Sequence, residues 1–166
     1  FEGCTSLKLL DLTYTKVFTV GREAFKDCTS LAEIRKSSSI GTAHHRAFMG
    51  CTSLTEFDAS GMHSAGTNVF SGCTSLSKVT FDKFTHIGDY MFAGLDYYYE
   101  EYDYTTGEWN IKNTLYPSCD KIKEVVLKSP TVGEGAFAGC LGLETVTFSG
   151  HKEVRIGEGA FAGCAG

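Results

Sequence analysis

Hydrophobic residues recur along the chain in a fixed order, separated by polar positions that vary freely. The stretch FEGCTSL at Phe1 returns as FKDCTSL at Phe25, FMGCTSL at Phe48 and FSGCTSL at Phe70, each holding a Phe, a Cys and a Leu three residues apart. With the Phe of Phe-x-x-Cys as the mark, the pattern recurs at Phe1, Phe25, Phe48, Phe70, Phe92, Tyr116, Phe137 and Phe161, at spacings of 24, 23, 22, 22, 24, 21 and 24 residues. A second mark keeps step at Cys4, Cys28, Cys51, Cys73, Leu95, Cys119, Cys140 and Cys164, so all seven cysteines share one phase. A period near 23 predicts a solenoid of about seven stacked units.

Each Cys is followed by Leu-x-x-[Val/Ile/Phe]-x-[Phe/Leu], as in LTEFDA, LSKVTF, IKEVVL and LETVTF. The last residues alternate with a period of two, which predicts a short parallel strand. A second segment reads [Ile/Val]-Gly before the next Phe, in TVGREAF, HIGDYMF, TVGEGAF and RIGEGAF. Its Gly suits a tight turn, and the few residues up to the Phe are expected to make one or two turns of helix. Neither face of such a unit is large enough to be buried alone, so like residues must stack. Phe25 is expected between Phe1 and Phe48, Cys28 between Cys4 and Cys51, and Leu31 between Leu7 and Leu54.

The string Phe-x-x-Cys-x-x-Leu-x-x-Val-x-Phe with Ile-Gly-x-x-Ala-Phe resembles the BspA-like leucine-rich repeat of surface proteins from anaerobic bacteria and some protozoan parasites. The resemblance covers nearly the whole chain. It implies an α/β, right-handed leucine-rich-repeat solenoid, here one domain over residues 1–166, of short parallel strands and short helical turns. It also implies a secreted or surface-anchored setting and, as in some family members, adhesion to host matrix proteins.

Two stretches depart from the pattern. IGTAHHRAF has three extra residues between Ile40 and Phe48, which read as a loop bulge on the convex side. Residues 95–118, LDYYYEEYDYTTGEWNIKNTLYPS, admit two readings. One is an irregular repeat, with Tyr99, Tyr102 and Tyr104 as strand residues and Ile111 and Tyr116 keeping the later marks; the 24-residue length favours it. The other is an inserted hairpin turning at TTGE, with Tyr residues and Trp109 on its strands.

Composition narrows the function. A chain of 166 residues that is 42% hydrophobic and 21% charged has the makeup of an ordinary globular protein. Its net charge of -5, with no Lys/Arg run, disfavours nucleic acid and anionic membranes as partners. No stretch approaches the about 20 apolar residues of a membrane helix, so no membrane insertion is expected within these residues. Beginning and ending inside a repeat, the chain reads as part of a longer one, with any targeting signal outside it.

Candidate chemistry is sparse. The closest cysteines are 21 residues apart, unlike the paired Cys of zinc sites, and the ladder favours buried thiols, although stacked Cys lie within disulfide reach. GEGAFAGC at Gly133 and Gly157 lacks the context of a nucleotide loop, and its in-phase return points to a tight turn. His44, His45, His63, His86 and His151 have no partner at catalytic or ligand spacing, so neither cofactor nor metal is expected. Glu100, Glu101 and Asp103 on a strand make a poor calcium cage.

The outward strand positions remain, among them Glu33, Arg35, Glu56, Asp58 and Lys78, which vary while the inward ladder stays constant. They suit a solvated face or a broad protein-binding surface. Tyr97, Tyr98, Tyr99, Tyr102, Tyr104 and Trp109 either fill a widened turn or stand exposed, as residue types enriched in binding hot spots. The expectation is a non-catalytic, adhesin-like module for an extracellular protein ligand, such as a host matrix protein. The alternatives are a structural spacer and, with less support, a carbohydrate-binding module.

Overall fold

The computed structural model describes residues 1–15, 17–36, 40–81, 86–128, 131–150 and 153–166, without the side chains of Tyr97, Tyr98, Tyr99 and Glu101. Its strands are β1 (Leu9–Leu12), β2 (Thr19–Val20), β3 (Glu33–Lys36), β4 (Thr42–Ala43), β5 (Glu56–Asp58), β6 (Ser64–Ala65), β7 (Lys78–Thr80), β8 (Leu95–Asp103), β9 (Glu108–Tyr116), β10 (Glu124–Leu127), β11 (Thr131–Val132), β12 (Thr145–Phe148) and β13 (Arg155–Ile156). All pairings are parallel except that of β8 with β9, which is antiparallel.

The expected strand after each Cys and Leu is present as β1, β3, β5, β7, β10 and β12. These join as β1 with β3, β5 with β7 and β10 with β12. The [Ile/Val]-Gly segment is a second, two-residue strand rather than only a turn. β2, β4 and β6 form one ladder, Ile87 bridges to Val132, and β11 pairs with β13.

The stacking rule holds at the Phe positions. Phe1, Phe25, Phe48, Phe70, Phe92, Phe137 and Phe161 form one column of near-parallel rings, with centroids 4.9 to 5.7 Å apart. Seven rings bound six turns, one fewer than the seven units expected. The cysteines form the next column. From the second turn on, each thiol donates to the carbonyl of the Phe one turn earlier: Cys28 to Phe1, Cys51 to Phe25, Cys73 to Phe48, Cys119 to Phe70 and Cys164 to Phe137 at 3.1 to 3.2 Å, and Cys140 to Phe92 at 3.6 Å. All seven are free thiols. A small apolar residue with one weak donor suits a site that offers one carbonyl.

No helix forms among the described residues, against the expected helical turns. Backbone hydrogen bonding gives the reason. In the turn leading to Phe25, the amides of Ala24, Lys26 and Cys28 donate back three residues, to Gly21, Glu23 and Phe25. The alternate amides of Glu23, Phe25 and Asp27 donate instead to His45, Ala47 and Met49 of the next turn, at 2.8 to 3.1 Å. Left-handed residues at Glu23 (φ 55°) and Asp27 (φ 57°) aim those amides outward. In a helix the amides of Phe25 and Asp27 would turn to carbonyls of their own segment, and the alternate bonds to the next turn would be lost.

The left-handed column continues at Arg46, Asn68, Tyr90, Gly135 and Gly159. Side chains stabilise it where the residue is not Gly. Arg46 Nη1 lies 3.0 Å from Glu23 Oε1, and Asn68 Nδ2 donates to Ser71 Oγ at 3.0 Å.

Register also corrects the reading of IGTAHHRAF. Val20 pairs with Ala43 and Ala43 with Ala65, so Ala43 and His44 hold the place of Val20 and Gly21. There is no bulge. Ile40 is buried in the core, and Gly41 lies directly against the Phe18 ring.

Residues 95–118 are the inserted hairpin and not a repeat. Phe92 stacks on Phe137 at 4.9 Å, and the Cys119 amide donates to the Phe92 carbonyl at 3.0 Å, as Cys28 does to Phe25. Cys119 therefore completes the turn begun by Phe92, and the hairpin rises between Gly94 and Cys119. Removing residues 95–118 leaves Phe-Ala-Gly-Cys, the same four residues as at 137–140 and 161–164. The insert happens to be one repeat long, so period counting alone misplaces it.

Candidate functional site

Two surfaces stand apart from the stacking core: the outward strand face and the hairpin. On the strand face, alternation buries Phe57 and Val79 and exposes their neighbours, which puts Glu33, Arg35, Glu56, Asp58 and Lys78 on the surface as the pattern predicts. β3 and β5 are not hydrogen-bonded to each other. Over that break lies a shallow groove of about 470 Å³ lined by Glu33, Lys36, Glu56, Asp58, Lys78 and Thr80, among others.

Charges around the groove pair off. Arg35 Nε and Nη2 meet Glu33 Oε1 and Oε2 at 2.6 and 3.1 Å. Lys36 Nζ reaches Asp58 Oδ2 at 3.3 Å, and Lys78 Nζ lies 3.9 Å from Glu56 Oε2. Partial burial works to raise the Asp58 carboxyl, but hydrogen bonds from Ser60 and the charge of Lys36 outweigh it and hold the group below the ordinary carboxylate range. Lys36 was not among the expected surface residues. It occupies an inward phase of its strand, yet its ammonium reaches the half-exposed Asp58 on the next turn.

The hairpin is built differently. Its nine-residue strands pair throughout, from Leu95 opposite Tyr116 to Asp103 opposite Glu108. Its loop, Tyr104, Thr105, Thr106 and Gly107, is fastened by Asp103, whose Oδ1 accepts from the Thr105 amide at 2.8 Å, the Thr105 hydroxyl at 2.6 Å and the Thr106 amide at 3.3 Å. The Thr105 bonds lead in holding the Asp103 carboxyl down at about 2. Gly107 closes the turn at φ 75°, a conformation that a side chain would strain.

At the tip, Tyr102 and Trp109 face each other across the strands with ring centroids 5.1 Å apart, and Tyr104 meets Tyr102 edge-on at 5.1 Å. Tyr104 and Trp109 remain 90% and 67% exposed. Three of the six expected aromatic contacts thus form one cluster. The side chains of Tyr97, Tyr98 and Tyr99 lie outside the described ones, as does His151. No hairpin residue lines the groove, so the two candidate surfaces are separate.

At the base stands a residue that sequence reading misassigned. Tyr116 is absent from the Phe column. It is buried against the glycine column of the turns, and a Cβ on Gly50 or Gly72 would come within 2.9 or 2.8 Å of its ring. Both glycines are left-handed, at φ 75° and 79°. Ile111 and Leu115, both exposed, were also passed over as surface residues. The alternation of Trp109, Ile111 and Leu115 is a strand signal that the repeat period obscured.

The BspA type leucine rich repeat region matches this chain in six copies, over residues 1–99 and 60–166. Among solved structures, the chain is similar to the leucine rich repeat protein of T. pallidum at 23% identity and a TM-score of 0.62, over 95% of this chain and 76% of that one. It is similar to a leucine-rich repeat protein from Bacteroides ovatus at 17% identity and a TM-score of 0.55, over 100% of this chain and 55% of that one. A leucine rich cell surface protein from Faecalibacterium prausnitzii aligns at 22% identity and a TM-score of 0.47, over 99% of this chain and 47% of that one. The chain therefore spans about half the length of the last two. No curated protein matches. The first two likenesses establish a shared fold. With the repeat pattern matched from end to end and its Phe and Cys columns in place, the chain belongs to the BspA type leucine rich repeat family.

Proposed function

We propose that this chain is a non-catalytic, protein-binding repeat module of a secreted or cell-surface protein, with the hairpin as its principal contact. The observation that carries the reading is the cluster of Tyr104 and Trp109, each in ring contact with Tyr102, on an arm that adds nothing to the Phe and Cys columns. Burying apolar surface stabilises by about 25 cal/mol per Å², and the fold leaves that gain unused at the most exposed rings of the hairpin. Tyr and Trp are also the residue types that dominate binding hot spots. Full strand pairing and the fastened loop preform the arm, so a partner need not order it on binding. The groove between β3 and β5 offers a second, polar contact. The family resemblance supports an extracellular setting and a protein ligand such as a host matrix protein.

The test is binding of the purified monomer to extracellular-matrix proteins and glycans, beside a Tyr102→Ser/Trp109→Ser variant of unchanged melting temperature. Saturable binding to a protein, weakened in the variant, is the expected result. Undiminished binding by the variant would move the site off the hairpin. Absence of binding by a well-folded monomer would favour a spacer, for which six turns at about 4.8 Å give a length of roughly 29 Å.

A further inference from the structure

The hairpin presents two unlike faces. Residues opposite one another in an antiparallel pair share a face, and successive residues alternate. Tyr116, buried on the solenoid, anchors one face at its base. Trp109, Ile111 and Leu115 stand on the other, 67%, 76% and 68% exposed, with Tyr102 opposite Trp109, Glu100 opposite Ile111 and Asp96 opposite Leu115. Apolar and acidic side chains therefore lie in cross-strand pairs along one uncovered face.

Charge is concentrated on the same arm. Residues 95–116 hold five carboxylates, on Asp96, Glu100, Glu101, Asp103 and Glu108, against the single ammonium of Lys112. Four of the chain's five net negative charges thus sit on this hairpin. A second copy is a poor occupant, because two such arms laid face to face would bring like charges together. A glycan is poor too: the Tyr102 and Trp109 rings are inclined at 58° rather than forming a flat platform, and the face continues in aliphatic Ile111 and Leu115.

We infer that this face receives a cationic, extended protein segment whose every second residue points at the arm, these facing residues being apolar and Lys or Arg by turns. Its apolar side chains cover Ile111 and Leu115, and its cations meet Asp96 and Glu100 and stack on Trp109 and Tyr102. The inference rests on the reading of the hairpin as the chain's binding arm, and it names the partner's chemistry.

Trp109 is the chain's sole tryptophan, so its emission reports on this face directly. The intact chain is titrated with a synthetic peptide repeating Val-Thr-Lys-Thr, about ten residues long to match the strands, so that Val and Lys point at the arm together. The same peptide with Glu in place of Lys and an uncharged oligosaccharide serve as controls. The expected result is a saturable emission change with the Lys peptide alone, weakening about tenfold or more between about 0.05 and 0.3 M salt. Ile111→Ser/Leu115→Ser and, separately, Asp96→Asn/Glu100→Gln should each weaken it about tenfold.

An Ile111→Ser/Leu115→Ser variant that binds as tightly as the parent reduces the effect to diffuse charge attraction and overturns the proposal. So does a response to the Glu peptide or the oligosaccharide, or no response at all. Amide exchange of β8 and β9 in the unmodified chain supplies a readout independent of whether a variant folds, and protection must rise when the Lys peptide is added. Loss of matrix-protein binding in Tyr102→Ser/Trp109→Ser, with the Lys peptide ignored by the parent chain, would sink this inference and leave the binding-arm reading standing.

Discussion

The Tyr116 hydroxyl lies 2.9 and 3.0 Å from the two carboxylate oxygens of Asp27, although 89 residues separate them along the chain. The bond ties the base of the hairpin to a turn far earlier in the solenoid, across Gly50 and Gly72. Asp27 takes the place that Gly50 and Gly72 hold in their own turns, so the column is small where the Tyr116 ring passes and polar where it ends.

Tyr116→Phe should therefore destabilise the chain by about 1.5–2 kcal/mol, the lower part of the range for a hydrogen bond to a charged group. The low end applies because Asp27 keeps Lys26 Nζ at 3.2 Å and its side chain is 35% exposed. Chemical denaturation measures the loss. In a double-mutant cycle with Asp27→Asn, the two changes should fall well short of additive, and strict additivity would show that the bond is immaterial.

Excision of residues 95–118 should leave a folded solenoid, because it restores the Phe-Ala-Gly-Cys turn found twice elsewhere. Loss of the buried Tyr116 ring together with its hydroxyl bond should lower the melting temperature by about 5–15 degrees, roughly what 3–4 kcal/mol does in a domain of this size. Collapse of the circular-dichroism signal would mean that the hairpin supports the fold and is no simple insert.

Phe70→Ala should be far more damaging. The Phe70 ring lies between Phe48 and Phe92, at 5.7 and 5.5 Å, and also meets Phe57 at 4.7 Å. Truncating such a fully buried ring costs about 3–5 kcal/mol. In a solenoid the cavity also weakens coupling between the turns on either side, so unfolding should broaden into more than one transition. Calorimetry would detect it.

The thiols predict an alkaline limit. Burial, the leading cause, pushes Cys140 from the ordinary 9.0 up to about 12 and holds Cys73 and Cys119 well above it. The folded state keeps these protons where the unfolded chain has lost them. The contribution of the thiols to stability is therefore fully present below pH 9.0 and is lost as the pH rises toward about 12. Denaturation midpoints measured across that window should decline, and Cys140→Ala should make the decline shallower. An unchanged slope would refute the assignment.

Asp103 makes the opposite prediction at acid pH. Its folded carboxyl is held at about 2 against an ordinary 3.8, so its bonds to the loop are intact above 3.8 and are lost as the pH falls through about 2. Amide exchange at Thr105 and Thr106, corrected for intrinsic rates, should accelerate over that interval. Asp103→Ala should show the faster exchange at every pH.

The parts of the fold legible in sequence are those that each turn repeats. Phe48, Cys51 and Leu54 are in phase with their counterparts because every turn meets the same neighbour, and the exposed Glu56 and Asp58 flank buried Phe57 for the same reason. The second strand ladder was hidden because two residues are too few for a period of two to register. Helical turns were expected because spacing alone does not distinguish a helix from successive turns. Left-handed Glu23, Arg46, Asn68 and Tyr90 carry no glycine signal to decide between them.

By itself, the sequence determined the repeat, its family, the inward columns of Phe and Cys and the outward rows of charge, since one environment repeated many times leaves a periodic trace. Only the tertiary structure decided that Tyr116 leaves the column it mimics in phase, that Cys119 closes the turn begun by Phe92, and that Trp109, Ile111 and Leu115 form an uncovered face. Those contacts occur once each. A single long-range contact leaves no period to read, and an insert as long as the repeat erases even the break it makes.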